Sequence, residues 1–240
     1  MTYLEFLDKY KDEINRKDFI GLYNLIRGTG NLDRKIWNTL LFNLSKLNVN
    51  PLEGTKSVPS SFFNKSNLEK VELPDQIEDI FTTAFSGCTK LKTVVLSKSL
   101  TYSSSGSFYQ CSELKEVYYN NGIESWFSIT FDNIWSNPLT YGPKLYYREG
   151  QKYKVLTDLV VPDGTSGILS FSFYGYKHLL SLTIPQSVKY IGIEAFGDCT
   201  NLDKVVYLGT VSEWYSIKKA NAYLGRSKLV ITCSDGEVFN

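Results

Sequence analysis

Hydrophobic positions recur every 23 residues over much of the chain. Phe62, Phe85 and Phe108 are spaced in this way. So are Leu68, Leu91 and Leu114, then Val71, Val94 and Val117, then Leu73, Leu96 and Tyr119. The same step returns in the pairs Phe173/Phe196, Leu179/Leu202, Leu182/Val205 and Ile184/Tyr207. A slot just after the phenylalanine holds Lys65, Cys88, Cys111, Tyr176 and Cys199. This period, with Leu-x-x-Val-x-Leu blocks, predicts one short strand per repeat and a parallel ladder of such strands. No repeat can bury its apolar edge alone, so the strands ending near Leu73, Leu96, Tyr119, Ile184 and Tyr207 should be neighbours. The Phe-x-x-Cys segment is expected to form the opposite wall as a short helix or helical turn, with cysteine as a small apolar residue. Lys65 in the first such slot fits an open, N-terminal capping repeat.

Residues 1–50 lack this period and read as helices. Tyr3, Phe6, Leu7, Tyr10 and Ile14 recur at helical steps. Asp18 can cap a second helix bearing Phe19, Leu22, Tyr23 and Ile26. Asp33 can start a third bearing Ile36, Trp37, Leu40, Leu41, Leu44 and Leu47, closed by Asn50-Pro51. This head, residues 1–54, is expected either to cover the first strand's edge or to bind a partner itself.

Residues 55–240 are expected to form the solenoid. Phe108 and Phe173 are 65 residues apart, which places an insertion of 42 residues at about 120–161. A longer echo runs through it. Tyr119/Tyr207, Ile123/Val211, Trp126/Trp214 and Ile129/Ile217 are each 88 apart, and Pro143–Tyr146 resembles Ser227–Val230. The unit reads as strand, turn, short helix bearing a tryptophan, loop and strand. Its second copy, about 206–240, is expected to cap the C-terminal end, with both tryptophans covering core. The third repeat, SKSLTYSSSGSFYQC, has serines that suggest a looser turn, and the fourth has Ser172-Phe173 in place of Ala-Phe.

The run Ile184-Pro185-Gln-Ser-Val188-Lys-Tyr-Ile191-Gly192-Ile-Glu-Ala195-Phe196-Gly-Asp-Cys199-Thr-Asn-Leu202 resembles the BspA-type leucine-rich repeat, as does the run from Pro74 to Leu96. The resemblance extends from about Val58 onward. It implies an α/β leucine-rich-repeat solenoid behind a helical head. It does not single out a function, because the family serves as adhesins, receptors and intracellular binders alike.

Composition narrows the chemistry. Lysine plus arginine total 26 and aspartate plus glutamate 25, which leaves no footprint for nucleic acid as a direct ligand or for an anionic membrane. No apolar stretch approaches a membrane span, and the first twenty residues lack a signal-peptide core. Cys88, Cys111, Cys199 and Cys233 are too dispersed for a disulfide framework, so a cytoplasmic setting is expected. The single histidine, His178, sits in a turn slot with no partner at motif spacing. No zinc spacing or phosphate loop is present, and no cofactor is expected. An enzyme would need a carboxylate pair that the sequence does not signal.

Tyrosine is abundant, with 17 residues beside 14 phenylalanines. Such composition favours protein recognition, because rigid amphipathic rings give contact area at low entropic cost. Alternation within each block sends Lys70 and Glu72, Thr93 and Val95, Glu116 and Tyr118, Ser181 and Thr183, and Lys204 and Val206 outward. Of these, Glu72, Val95, Glu116, Tyr118, Thr183 and Val206 are the candidate partner-binding residues. The expected function is non-enzymatic protein binding inside the cell. Resemblance to head-plus-repeat proteins of phages and bacteria points to inhibition of a host defence such as an antiviral nuclease. A surface adhesin or a virion component is the first alternative, and an enzyme with an unrecognised carboxylate site the second.

Overall fold

The computed structural model describes residues 1–30, 32–221, 223–225 and 229–239. Ser227, Lys228 and Asn240, which enter the long echo and the C-terminal unit, lie outside them. Four helices open the chain: α1 (Tyr3–Lys9), α2 (Lys11–Asn15), α3 (Phe19–Gly28) and α4 (Arg34–Lys46). The Asp18 carboxylate accepts from Gly21 N–H, and that of Asp33 from Lys35 and Ile36 N–H, meeting donors that a helix start leaves open. The first expected helix is divided at Tyr10, whose backbone leaves the helical region.

This head stands where a preceding repeat would stand. Trp37 is buried against Tyr23 and Phe62, ring centroids 5.1 and 5.3 Å away. Its Nε1–H donates to Phe62 O at 3.0 Å. Arg34 Nη1 donates to Ser61 O at 2.6 Å and Asn38 Nδ2 to Lys65 O at 2.8 Å. Helix α4 thus supplies donors to carbonyls of the first turn.

Beyond it the chain coils into two successive units. In the first, strands Lys70–Glu72, Thr93–Leu96, Glu116–Tyr119 and Lys144–Glu149 form a parallel ladder, and Lys152–Val155 closes it as an antiparallel hairpin. In the second, Asp158–Val160, Ser181–Ile184, Lys204–Tyr207 and Val230–Cys233 do the same, and Gly236–Phe239 closes the hairpin. Shorter strands, from Ser57–Val58 to Thr130–Phe131 and from Gly167–Ile168 to Lys218–Lys219, form a second parallel ladder in each unit. Val71, Val94, Val117 and Leu145 lie in register at the core, as do Leu159, Leu182, Val205 and Ile231.

Four expectations change or narrow. First, Phe62 is not the start of the phenylalanine column. Phe63 stacks on Phe85 at 5.0 Å, and Phe85 on Phe108 at 5.1 Å, while Phe62 turns into the head. The first repeat has one residue fewer between its slot and its leucine. Ser66, not Lys65, therefore meets Cys88, Sγ 3.4 Å from Oγ, and Lys65 is exposed.

Second, of the two expected forms, a short helix or a helical turn, the opposite wall takes the turn, with Ala84 N–H on Phe81 O and Cys88 N–H on Phe85 O. Other amides of the wall bond to the next repeat: Phe63 N to Ala84 O, Phe85 N to Ser107 O and Phe173 N to Ala195 O, each 2.8 Å. Donors used between repeats are not free to make a helix.

Third, Ser97, Ser103, Ser104 and Ser107 of the third repeat are buried and bonded, not loose. Ser103 Oγ donates to Ser136 O at 2.8 Å, and Ser104 and Thr82 hydroxyls meet at 2.9 Å.

Fourth, the strands ending at Tyr119 and Ile184 are not neighbours. The segment read as an insertion carries the ladder onward, Glu116 pairing with Lys144 and Val117 with Leu145.

The two units join through the first tryptophan. Trp126, at the end of the short helix α5 (Ile123–Trp126), is fully buried and donates its Nε1–H to Ser172 O at 2.8 Å. Phe127 packs on Phe173, centroids 5.6 Å apart. Buried Asn137 donates to Phe171 O and Ser172 O and accepts from Leu139 N–H. Trp214, on helix α6 (Val211–Ser216), is likewise buried.

Cys88, Cys111 and Cys199 are buried and free, their thiols donating to Phe63 O, Phe85 O and Phe173 O at 2.9, 3.2 and 3.2 Å. Burial raises all three thiol pKa values, that of Cys199 to about 12. All three should therefore resist a thiol reagent in the native protein and react at once in denaturant. Rapid native labelling at these positions would contradict the packing. Asn137→Ala should lower unfolding free energy by about 1–3 kcal/mol, because it leaves the buried Leu139 N–H without its acceptor and removes the amide's bonds to Phe171 O and Ser172 O. An unchanged denaturant midpoint would contradict that role.

Candidate binding face

The ladder register decides which outward side chains meet. Glu72, Val95, Tyr118 and Tyr146 form one column across the first unit, and Lys70, Thr93, Glu116 and Lys144 form the next. The column is not uniformly open. Val95, expected to be exposed, is 7% exposed. It lies between its ladder neighbours Glu72 and Tyr118, so it supports the face rather than presenting to solvent.

Tyr118 is the centre of an aromatic group. Its ring stacks on Tyr146 with centroids 4.5 Å apart and planes 8° from parallel. Tyr153, on the returning strand of the hairpin, meets it edge-on at 5.0 Å. The guanidinium of Arg148 sits over Tyr153, 4.2 Å from the centroid. Tyr153 also hydrogen-bonds Asn120 Oδ1, and Arg148 N–H donates to Asn121 O at 2.9 Å. The hairpin is thereby held against the end of the Glu116–Tyr119 strand. Burial, and then the Glu116 carboxylate beside them, raises the phenol pKa values of Tyr118 and Tyr146, so both hydroxyls remain donors at neutral pH. Thr93 Oγ1 lies 3.5 Å from Glu116 Oε2.

Thr183 and Val206 lie on the second unit's sheet, in a column with Val160 and Thr232. The six candidate residues therefore divide into Glu72, Val95, Glu116 and Tyr118 on one sheet and two on another. Val160 is 63% exposed, and this second column carries no aromatic ring. Tyr146, Arg148 and Tyr153 were absent from the expected face. The one signal for them was the echo of Pro143–Tyr146, which marked a strand without fixing its register.

Among the described residues, no cluster of three or more His, Cys, Asp or Glu side chains could hold a metal ion. His178 is partly buried, its ring 5.9 Å from that of Tyr176. No helix among them is long and apolar enough to cross a membrane.

Stacked short parallel strands, phenylalanine columns and a 23-residue step define a leucine-rich-repeat solenoid. The chain belongs to the BspA type leucine rich repeat region family, whose model matches in six copies over residues 35–141 and 151–221. No curated protein matches the chain. Among solved structures it is similar to a leucine-rich repeat protein from Bacteroides ovatus, at 22% identity over 74% of this chain and 45% of that one, TM-score 0.45. A T. pallidum leucine rich repeat protein shares 23% over 63% and 64% of the two chains, TM-score 0.37. A leucine rich cell surface protein from Faecalibacterium prausnitzii shares 18% over 68% and 54%, TM-score 0.37. The chain thus spans roughly half to two thirds of the length of these proteins. Family membership suggests a protein-binding or surface repeat module, and solenoids of this kind are typically non-enzymatic and generally bind proteins.

Tyr118→Ala should cost about 1 kcal/mol of stability, the worth of an aromatic pair on a surface, and leave the ladder intact. A loss of about 4 kcal/mol or more, the range of core truncations, would show that Tyr118 belongs to the core instead.

Proposed function

We propose that the chain is a protein-binding module that engages its partner through the first unit's sheet face, centred on Tyr118, Tyr146 and Tyr153. The observation that supports this is an aromatic group on the solvent side of a ladder whose core is complete beneath it. Val71, Val94, Val117 and Leu145 fill the interior. The tyrosines stand on the other side, with charged and polar groups from Glu72, Glu116, Lys144 and Arg148 around them. Rigid aromatics ringed by polar groups are the composition of an interface hot spot.

The partner, on this reading, is a protein inside the cell. The head-plus-repeat plan extends the reading to an inhibitor of a host defence such as an antiviral nuclease. Capture from the native host, followed by affinity measurement with the identified partner, tests both parts. Tyr146→Ala should weaken binding by about 2 kcal/mol or more, as at a hot spot, while Val160→Ala changes it little. Undiminished affinity in Tyr146→Ala would sink this face. Capture of only cell-envelope or host-surface proteins would sink the intracellular reading.

A further inference from the structure

The head replaces a preceding repeat on the turn side but not on the face side. Towards the turns, Arg34, Trp37 and Asn38 reach carbonyls of Ser61, Phe62 and Lys65. Towards the face, the strand Lys70–Glu72 is the last of its sheet. Leu73 N–H donates to Val95 O at 2.9 Å and Thr93 N–H to Glu69 O at 3.1 Å, so the odd-numbered residues of this segment pair inward. By the alternation of a strand, the backbone groups of Lys70 and Glu72 then point to the open edge. Asn50 Nδ2 meets one of them, Glu72 O, at 3.0 Å. The N–H and C=O of Lys70 and the N–H of Glu72 face a groove of about 730 Å³. Its far wall is α4 and the segment after it, with Leu41, Phe42 and Val49. That size is within the roughly 300–1,000 Å³ of ordinary ligand sites.

We propose that this groove takes an extended segment of a protein partner, added as a strand to the Lys70–Glu72 edge, with a lysine or arginine beside Glu53. The backbone donors and acceptor fix the first part, since an extended chain presents matching groups at strand spacing. Charge fixes the second. The groove is lined by the carboxylates of Glu53, Glu69, Glu72 and Asp75 and by one ammonium, Lys70. Glu69 is held by Lys92 at 2.8 Å, Glu72 by Lys70 at 3.4 Å and Asp75 by Lys98 at 3.3 Å. Glu53 has no ion pair among the described residues. The apolar wall of Leu41, Phe42 and Val49 would receive the alternate side chains that point away from the sheet edge. The wall also recesses the edge, which admits a single extended chain more readily than the edge of a second folded copy. The site borders the tyrosine face and shares Glu72 with it, but it uses the backbone edge of that residue rather than the tyrosine rings, so it is tested apart from that face.

The test uses the full-length protein and a displayed library of random linear dodecapeptides. Selected peptides should share an alternating apolar pattern with one basic residue. Adding such a peptide should slow hydrogen exchange at the amides of Lys70 and Glu72. Glu72→Pro removes the edge-facing N–H together with the carboxylate paired with Lys70, so Glu72→Gln, which removes the charge and keeps the N–H, is its control; edge strands accept proline. Glu72→Pro should cut peptide affinity at least tenfold relative to that control, with an unchanged circular dichroism spectrum. Glu53→Gln, which cannot disturb the ladder, should weaken basic peptides severalfold, and Tyr118→Ala should leave them unaffected. Several outcomes overturn the proposal: no linear peptide selected, peptides that bind Glu72→Pro as well as wild type, or a concentration-dependent dimer abolished by Glu72→Pro, which would assign the edge to a second copy.

Discussion

Each turn of this chain can bury its apolar edge only against the turn before and the turn after. That nearest-neighbour constraint governs the rest of the structure. It explains why the core is a set of columns, with Phe63, Phe85 and Phe108 stacked nearly parallel, rather than a cluster around a centre. It explains why a thiol suits the repeated slot beside them. The cysteine is small, and its S–H donates to a carbonyl in the preceding turn. It also makes the ends the costly places, because an end has one neighbour missing. The head answers this at one end with Trp37 on Phe62. A tryptophan helix and hairpin cover the last turn of each unit, and the first of them joins the two units through Trp126 and Asn137.

What could be read from the sequence follows the same constraint. Positions that face a neighbour in every turn must repeat, so Leu68, Leu91, Leu114 and their kin gave away the period, the strand direction and the buried cysteines. The doubled phenylalanine at Phe62-Phe63 concealed a turn shorter by one residue, since either ring satisfies a 22- or 23-residue step in isolation. Only the head's demand for Phe62 resolves it. The turn through Lys144 was legible as an echo but not as a ladder member, because its step from Glu116 is 28 residues and its block reads Leu-Tyr-Tyr. Outward residues are under no such constraint. Val95 was misjudged because alternation gives direction, not cover, and the cover comes from Tyr118 alongside it. Arg148 and Tyr153 depend on a hairpin folding back, which no period encodes.

The same freedom makes the outward residues the place where function can differ between members of one fold. The ladder holds Glu116, Tyr118 and Tyr146 at fixed spacing, so little side-chain entropy is left to lose on binding. The hairpin adds Tyr153 and Arg148 from the side and ties them to Asn120 and Asn121, outside the core. A rigid array assembled from positions that stability does not dictate can be altered without unmaking the solenoid. The second unit, with the same core and the outward column Val160, Thr183, Val206 and Thr232, shows how different such a face can be.

The most direct measurement is hydrogen exchange across the whole chain, with and without its captured partner bound. The account predicts added protection over residues 116–119 and 144–155, with residues 158–160, 181–184 and 204–207 exchanging as in the free protein. Protection gathered on the second unit's strands, with the tyrosine face unchanged, would contradict it.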